Sequence, residues 1–398
     1  MNAPVKQHLI DPEICIRCHT CEEACPIGAI THDDNNVVVD ASSCNFCMDC
    51  IAPCPTGSID NWRVVTAPYS VDEQLSWTEL PAQEDLSAET AASDTTAEAL
   101  DDAVAALLAE AHAGAGGAAR APKSAARPTV NLYSSAKPAV ATVQGNYRLT
   151  SDNADSDVRH IILDLGGQHF PVLEGQSVGI APPGADANGK PHRMRLYSIS
   201  SPRDGERPNT NNLSLTVKRE EQGVCSNFLC DLERGAKVNL TGPFGSTFLL
   251  PENHDARLIM ICTGTGSAPF RGFTMRRQRS APDLTEKMML FFGARTPESL
   301  PYFGPLKKVP ENVLAKHFAF SRVTGSTKQY VQDRMRTESD RIADALKDDH
   351  THVYVCGLKA MESGVEEAFR DIARGVGLDW KAIRDQMREE GRYHVETY

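Results

Sequence analysis

The sequence predicts three folded pieces in series: a small α+β module, an antiparallel β-barrel and a doubly wound α/β domain. Three observations carry this reading. Eight of the twelve cysteines fall between Cys15 and Cys54 in a repeated pattern. From residue 129 to residue 250, short β-rich runs such as Val158–Leu165, Leu213–Lys218 and Lys237–Thr241 alternate with Gly/Pro turns. From residue 251 to residue 398, buried-strand patterns alternate with helical ones. A chain of 398 residues has room for all three.

The first piece, residues 1–65, is a duplication. Cys15, Cys18, Cys21 and Cys25-Pro26 recur 29 positions later as Cys44, Cys47, Cys50 and Cys54-Pro55. Asp11, Gly28 and Ile30 recur as Asp40, Gly57 and Ile59. The spacing C-x₂-C-x₂-C-x₃-C-P is the bacterial ferredoxin run that holds [4Fe–4S] clusters. Three thiolates separated by two residues each wrap one cubane, and the fourth, before proline, leaves the loop for the other cluster. Cys15, Cys18, Cys21 and Cys54 are therefore assigned to one cluster, and Cys44, Cys47, Cys50 and Cys25 to the second. Zinc accepts four cysteines as well, but two interleaved runs are unusual for it. A secreted disulfide framework is the other competitor. The N-terminus lacks an apolar signal core, which favours a cytoplasmic protein with reduced thiols. Ala24, Ile27, Ala29, Ile51 and Ala52 are expected to keep water from the sulfurs.

Residues 66–128 are rich in Ala and acids and read as a flexible linker, with Gly114–Gly117 and Pro122–Pro128 its loosest parts. Leu100, Val104, Leu107 and Leu108 sit at helical spacing and would suit a short docking helix. The formal charge of −12 divides as −6 over residues 1–65, −8 over 66–128 and +2 over the remainder. No basic stripe for nucleic acid is present. No apolar run of about eighteen residues marks a membrane span.

In the barrel, Arg195-Leu196-Tyr197-Ser198 ends a β run. An Arg can pair with a pyrophosphate, an aromatic face can stack on an isoalloxazine, and a hydroxyl can bond near flavin N5. Gly223-Val224-Cys225-Ser226-Asn227 offers backbone N–H groups to a phosphate at a helix start, although Ser226 would equally serve as a plain N-cap. Gly242-Pro243-Phe244-Gly245 reads as a tight turn at a strand end.

In the α/β domain, Arg257–Cys262, Met288–Gly293, His317–Ser321 and His352–Cys356 read as parallel strands. Arg271–Arg279, Tyr330–Lys347 and Met361–Gly375 read as helices. Thr263-Gly264-Thr265-Gly266-Ser267-Ala268-Pro269 is a glycine-rich strand-to-helix turn suited to a pyrophosphate. It departs from the dinucleotide fingerprint because Pro269 stands at the third glycine, and no acidic residue follows at the ribose-binding distance. Ser321-Arg322 with Lys328 and Tyr330 instead suits a 2′-phosphate, hence NADP. Cys356-Gly357-Leu358-Lys359, followed by Met361-Glu362, lies where a parallel strand faces a ligand crevice, though a buried inert thiol is the usual fate of such a cysteine. In the last residues, His394-Val395-Glu396-Thr397-Tyr398, the terminal aromatic can stack over a flavin.

These motifs, in this order, resemble the plant-type ferredoxin–NADP reductase family over about two-thirds of the chain. The resemblance implies FAD in a six-stranded antiparallel barrel and NADPH in the α/β domain. It implies that Ser198, Cys356 and Glu396 assist hydride or proton movement and that Tyr398 covers the flavin ring. Cofactor contacts are implied for Arg195, Tyr197, Ser198, Lys218, Gly223, Val224, Cys225 and Ser226 on the flavin side. On the nicotinamide side they are implied for Thr263, Gly264, Thr265, Gly266, Pro269, Ser321, Arg322, Lys328, Tyr330, Gln332, Gly357, Leu358 and Glu362. The fused bacterial ferredoxin departs from the family. That joined architecture resembles the reductase components that serve di-iron oxygenases in aerobic benzoyl-CoA epoxidation.

Hydride brings two electrons and each cluster accepts one, so a flavin must stand between them. The expected route runs from NADPH to FAD to the two [4Fe–4S] clusters and on to a di-iron oxygenase partner. A general ferredoxin:NADP⁺ reductase fusion with another acceptor, or a non-enzymatic redox sensor, are the rival readings. A homodimer is a further expectation, and neither nucleic acid nor membrane is expected as a partner.

Overall fold

The structure, a computed structural model, describes residues 5–13, 15–47, 49–50, 54, 58–59, 61–65, 67–81, 119–185 and 189–398. The chain divides into two compact units. One comprises Met1–Thr95 with Asp164–Phe170 and Asp204–Asn212, and the other comprises Thr96–Leu163, Pro171–Arg203 and Leu213–Tyr398.

In the first unit, β1 (Val5–Leu9) pairs antiparallel with β4 (Asn61–Val65), and β2 (Ile30–His32) with β3 (Val37–Val39). The sequence duplication reappears in the backbone. The Asp11 N–H donates to the Ser58 carbonyl at 2.8 Å, and the Asp40 N–H donates to the Ala29 carbonyl at 2.8 Å. Cys15 N–H donates to Asp11 C=O at 3.0 Å, as Cys44 N–H does to Asp40 C=O at 3.0 Å. Each pair of bonds is related by the 29-residue shift, so the two halves form a pseudo-symmetric pair around one small core. Ile10, Ile30, Val37, Val39 and Ile59 fill that core together with Cys21 and Cys50.

Residues 67–81 correct the expectation of a flexible linker from residue 66. A helix, Val71–Leu75, is closed at its start by a capping box between Ser70 and Glu73. Gln74 is buried, and its amide donates to Val39 C=O at 2.9 Å and accepts from Val39 N–H at 3.3 Å. Asn36 Nδ2 donates to the carbonyls of Leu75 at 3.0 Å and Trp77 at 2.7 Å. Gln74 thus satisfies the edge of β3, and Asn36 satisfies carbonyls at the end of the helix. Residues 119–128 are likewise held, within the second unit. Arg120 Nη1 donates to Glu389 C=O at 2.8 Å, and Ala125 forms a β-bridge with Pro251. The helical spacing at Leu100, Val104, Leu107 and Leu108, the glycines at 114–117, Ile51, Ala52 and Gly57 lie outside the described residues.

The second unit begins with a six-stranded antiparallel barrel. Its strands are β5 (Ala139–Arg148), β6 (Val158–Asp164), β7 (Ser177–Ile180), β8 (Arg195–Ser198), β9 (Asn212–Lys218) and β10 (Lys237–Phe244), in the order β8-β7-β10-β5-β6-β9. Just beyond β8, an Ile199–Leu215 bridge and a 2.8 Å bond from Ser200 N–H to Ser214 C=O join the outer strands. Along β5, Ala139, Ala141 and Val143 point inward at alternate positions. The turn expected at Gly242–Gly245 is instead strand: β10 runs on to Phe244 with a register shift between Thr241 and Phe244. Pairing of Tyr133 with Gly242 from outside the sheet holds it extended.

The α/β domain is a five-stranded parallel sheet, β13 (Ala315–Phe320), β12 (Met288–Ala294), β11 (Arg257–Thr263), β14 (Thr351–Gly357) and β15 (Tyr393–Thr397), in that order. Both faces are covered, as the continuous apolar strands require. Ile259, Ile261, Val353 and Val355 face one cluster with Val331, Met335, Phe369 and Trp380. Leu258, Met260, Tyr354 and Cys356 face the other with Phe270 and Phe273. The helix expected over Tyr330–Lys347 is two, Val331–Thr337 and Ser339–Leu346. The chain turns at Glu338, whose carboxylate lies 3.4 Å from His317 Nδ1 on β13. Among the described residues no helix is long and apolar enough to cross a membrane.

Truncating Gln74 to Ala would leave the Val39 N–H and C=O buried without partners, a loss of about 1–3 kcal/mol. Amide hydrogen exchange should show faster opening over residues 30–39 and 71–77 in that variant, with β11–β15 unchanged.

Candidate functional site

Two groups of donors stand out. In the first unit, the loops after Asp11 and Asp40 each carry three cysteines. Each loop turns through a left-handed residue one position before its second sulfur: Arg17 (φ 55°) precedes Cys18 and Phe46 (φ 59°) precedes Cys47. The helix Thr20–Glu23 delivers Cys21 into the core. Cys21 and Cys50 are buried, Cys15, Cys25, Cys44 and Cys54 half-buried, and Cys18 and Cys47 exposed. Burial pushes the Cys21 thiol up to about 11 and Cys50 up to about 12. Sulfurs placed this way carry thiolate charge only beside a cation, which is the chemistry of a metal cluster.

Neighbouring charges reveal how the cysteines group. Cys54 is among the sulfurs that act on Cys18 and Cys21, and Cys25 and Cys47 act on Cys44. Cys25 lines a small cavity with the other run's three, Cys44, Cys47 and Cys50, and Cys54 stands near Cys18 and Cys21. Hydrogen bonds already reach the sulfurs: Thr20 Oγ1 donates to Cys18 at 3.2 Å, holding that thiol below its usual range, and Ala29 N–H donates to Cys25 at 3.2 Å. Eight thiols in two such groups fit two [4Fe–4S] clusters.

In the second unit, a cavity of about 1000 Å³ lies between the barrel and the α/β sheet. Arg195, Tyr197 and Ser198 of β8, Lys218 of β9, and Gly223, Val224, Cys225 and Ser226 line one side. Thr265, Glu396 and Tyr398 line the other. Tyr197 is hydrogen-bonded to Cys225, and burial raises both groups. Ser226 is the third residue of its helix rather than the N-cap, a position Gly223 takes. Its hydroxyl accepts from Glu220 N–H at 3.1 Å and donates to Gly223 C=O at 3.0 Å, which fixes the loop before the helix. The first N–H groups of that helix have no intrahelical partners.

The remaining predicted residues gather at the C-terminal ends of the parallel strands without lining this cavity. Thr263 ends β11, Gly264 and Gly266 form a 3₁₀ turn, and Pro269 sits in the first turn of the helix Ala268–Ser280. A Cβ on Gly266 would run into the Cys356 carbonyl oxygen. Gly357, at φ 134°, would bring one within 3.0 Å of the Thr263 backbone N and closer to Thr263 Oγ1. Only glycine permits the ends of β11 and β14 to meet this closely. Leu358 N–H then donates to Thr263 Oγ1 at 3.2 Å. Ser321 follows β13, and the loop after it folds back through a 3.0 Å bond from Gln329 N–H to Phe320 C=O. That return leaves Arg322, Lys328 and Tyr330 exposed on one loop. Gln332 lies on the next helix, beside Gly364, and the Glu362 carboxylate accepts from the Thr397 hydroxyl.

Register places Cys356 opposite both Cys262 and Glu396. Cys356 is 1% exposed and burial pushes its thiol well up, with Glu396 adding to it. Glu396 is 8% exposed, its Oε2 has no hydrogen-bond partner among the described residues, and burial raises its carboxyl to about 7. Tyr398 OH and Thr265 Oγ1 are hydrogen-bonded at 2.6 Å, and Tyr398 N–H donates to Gly357 C=O at 3.0 Å. The last residue is thereby pinned to both glycine-bearing turns. Sequence reasoning missed Lys190, His192 and Arg193, which line the cavity beside Arg195. The signal was the density of basic side chains in the six residues before Leu196.

The folded chain holds the Glu396 proton up to about pH 7, whereas an unperturbed carboxyl loses it near 4.5. Its contribution to stability is therefore present below pH 4.5 and is lost as pH rises to 7, by roughly 3 kcal/mol. Thermal unfolding between pH 4.5 and 8 should show this decline in the wild-type chain and a flatter profile in Glu396→Gln.

Comparisons with known proteins match two parts of the chain. Residues 7–55 match the family model of the 4Fe-4S dicluster domain, and residues 260–367 that of the oxidoreductase NAD-binding domain. The ferredoxin–NADP reductase of Spirulina sp. is 39% identical over 289 residues, covering 68% of this chain and 98% of that protein. The cyanelle enzyme of Cyanophora paradoxa is 39% identical over 288 residues, covering 68% and 79%. The solved ferredoxin-NADP⁺ reductase of Plasmodium falciparum superposes with a TM-score of 0.54 at 26% identity, covering 68% of this chain and 99% of that one. The same enzyme was also solved with 2′P-AMP. With a dicluster module at its N-terminal end, the chain belongs to the ferredoxin–NADP reductase family, whose cofactors are FAD and NADP.

Proposed function

We propose that the chain is the NADPH-oxidising reductase component of a two-component oxygenase that converts benzoyl-CoA to its 2,3-epoxide, with a di-iron protein as the electron acceptor. The observation that carries the reading is the union, in one chain, of an eight-cysteine dicluster module with a ferredoxin–NADP reductase. A bound flavin would supply the exchange between hydride and single electrons.

The chain's own groups take defined roles. Arg195, with Lys190 and Arg193, gives the cavity a positive rim for a flavin pyrophosphate, and His192 lies among them. The free N–H groups of Val224 and Cys225 add to it. Tyr197, fixed by Cys225, offers an aromatic face, and Ser198 a hydroxyl beside it. Tyr398 closes the opposite side and must leave before a nicotinamide ring can enter. Its bond to Thr265 defines the position that is vacated. Glu396, held protonated near neutrality, can keep a proton within the cavity wall and release it as charge changes there. Cys356, the buried cross-strand partner of Glu396, keeps that side of it dry. Arg322 and Lys328 present cations to a 2′-phosphate, Ser321 a hydroxyl and Tyr330 a stacking face. Gly264, Gly266 and Gly357 allow the dinucleotide backbone to approach the strand ends.

Reconstitution tests the acceptor. With a di-iron oxygenase component and benzoyl-CoA, NADPH consumption should be matched by epoxide formation and should stop when this chain is omitted. Turnover with artificial acceptors alongside no coupled product would instead favour a general ferredoxin:NADP⁺ reductase. No NADPH turnover with any acceptor would favour a redox sensor.

A further inference from the structure

The dicluster unit carries a second group of donors that the cluster chemistry does not use. His19, Glu22 and His32 bring one ligand atom each to within 4.8 Å of one another. Glu22 Oε2 lies 3.4 Å from His19 Nδ1 and 2.7 Å from His32 Nδ1. The two imidazole rings are 4.1 Å apart, tilted by 51°. The three residues come from different elements: His19 precedes the helix Thr20–Glu23, Glu22 is within it, and His32 ends β2.

Two features set this group apart from an ordinary surface ion pair. His19 adopts a left-handed backbone, φ 58° and ψ 4°, a conformation that costs about 1 kcal/mol or more for a non-glycine residue. Although it precedes the helix, its side chain makes no capping bond. Its Nδ1 is buried without a hydrogen-bond partner among the described residues and lies 3.4 Å from the carboxylate. A buried ring nitrogen lacking a partner beside a carboxylate and a second imidazole is an incomplete coordination shell. A tetrahedral ion with bonds of about 2.0–2.2 Å holds its ligands roughly 3.3 Å apart, and the observed 2.7 and 3.4 Å separations bracket that spacing. Two neutral imidazoles and one carboxylate suit a borderline divalent ion, and both rings and the carboxylate are open enough on their outer side for water to complete the shell.

We propose that His19, Glu22 and His32 bind one divalent transition ion of the zinc class, immediately beside the first cysteine run. His19 follows Cys18 directly and Glu22 follows Cys21 directly, so the ion would place its charge next to the sulfurs of one cluster. A cation there favours the reduced, more negative cluster. The site would thus set the potential of one of the two clusters selectively and would respond to metal supply.

The test uses the untagged holoprotein, with flavin and both clusters, washed with chelator under anaerobic conditions. Calorimetric titration with Zn²⁺ should find one ion bound per chain with no release of iron. Affinity should fall at least tenfold in Glu22→Gln and in His32→Ala. Glu22→Gln keeps a hydrogen-bonding side chain of the same size, so with iron content unchanged it is the deciding variant. Oxidised [4Fe–4S] clusters and oxidised flavin give no EPR signal, so one equivalent of Cu²⁺ should show hyperfine structure from two nitrogens, reduced to one in His32→Ala. Zinc should also raise the reduction potential of one cluster and leave the other unmoved. Equal affinity in wild type and Glu22→Gln would overturn the proposal. So would zinc uptake matched by iron loss, which would place the metal on the cysteine thiolates.

Discussion

The meeting of the β11 and β14 ends through two glycines is the constraint on which the reductase site depends. Gly266 lies against the Cys356 carbonyl and Gly357 against the Thr263 backbone, distances that leave no room for a Cβ. That approach packs the two strand ends together, and β15 runs alongside β14. Glu396 then falls opposite Cys356, and Tyr398 is bonded to Gly357 and Thr265. Two small residues therefore decide where the buried Glu396 carboxyl and the Tyr398 ring stand. The barrel supplies the facing wall of the cavity from β8 and β9.

A different constraint organises the dicluster unit. Buried thiols resist ionisation, as the elevation of Cys21 and Cys50 shows, and only a cluster offsets this. The duplicated backbone bonds of Asp11 and Asp40 fix the two loops in mirrored positions. Each run's last cysteine is then the neighbour of the other run's loop, so the clusters and the fold hold each other in place. Hydride arrives in pairs of electrons while these clusters take one, and the covalent link keeps both parts at a fixed stoichiometry.

Much of this was legible in the sequence because glycine, proline and cysteine leave signals that are local. The 29-residue repeat, the strand ends at Cys262 and Cys356 and the turn at Gly264–Gly266 could all be read from neighbouring residues. Where reading failed, the cause was tertiary. Val71–Leu75 is too short to announce itself, and Gln74 is ordered only because Val39, distant in sequence, needs its edge satisfied. Arg120 and Ala125 read as linker because their partners, Glu389 and Pro251, lie far along the chain. Gly242–Phe244 has turn composition, yet pairing with Tyr133 draws it into a strand. Lys190, His192 and Arg193 carried no motif, and only the fold aims them at the cavity.

The central claim is that reducing equivalents taken from NADPH reach the iron–sulfur module of the same chain. Rapid freeze-quench EPR of the holoprotein after anaerobic mixing with NADPH tests it most directly. The account predicts that [4Fe–4S]⁺ signals grow in after flavin bleaching, at a rate independent of protein concentration. Flavin bleaching with clusters that stay silent, or cluster reduction that accelerates in proportion to protein concentration, would contradict it.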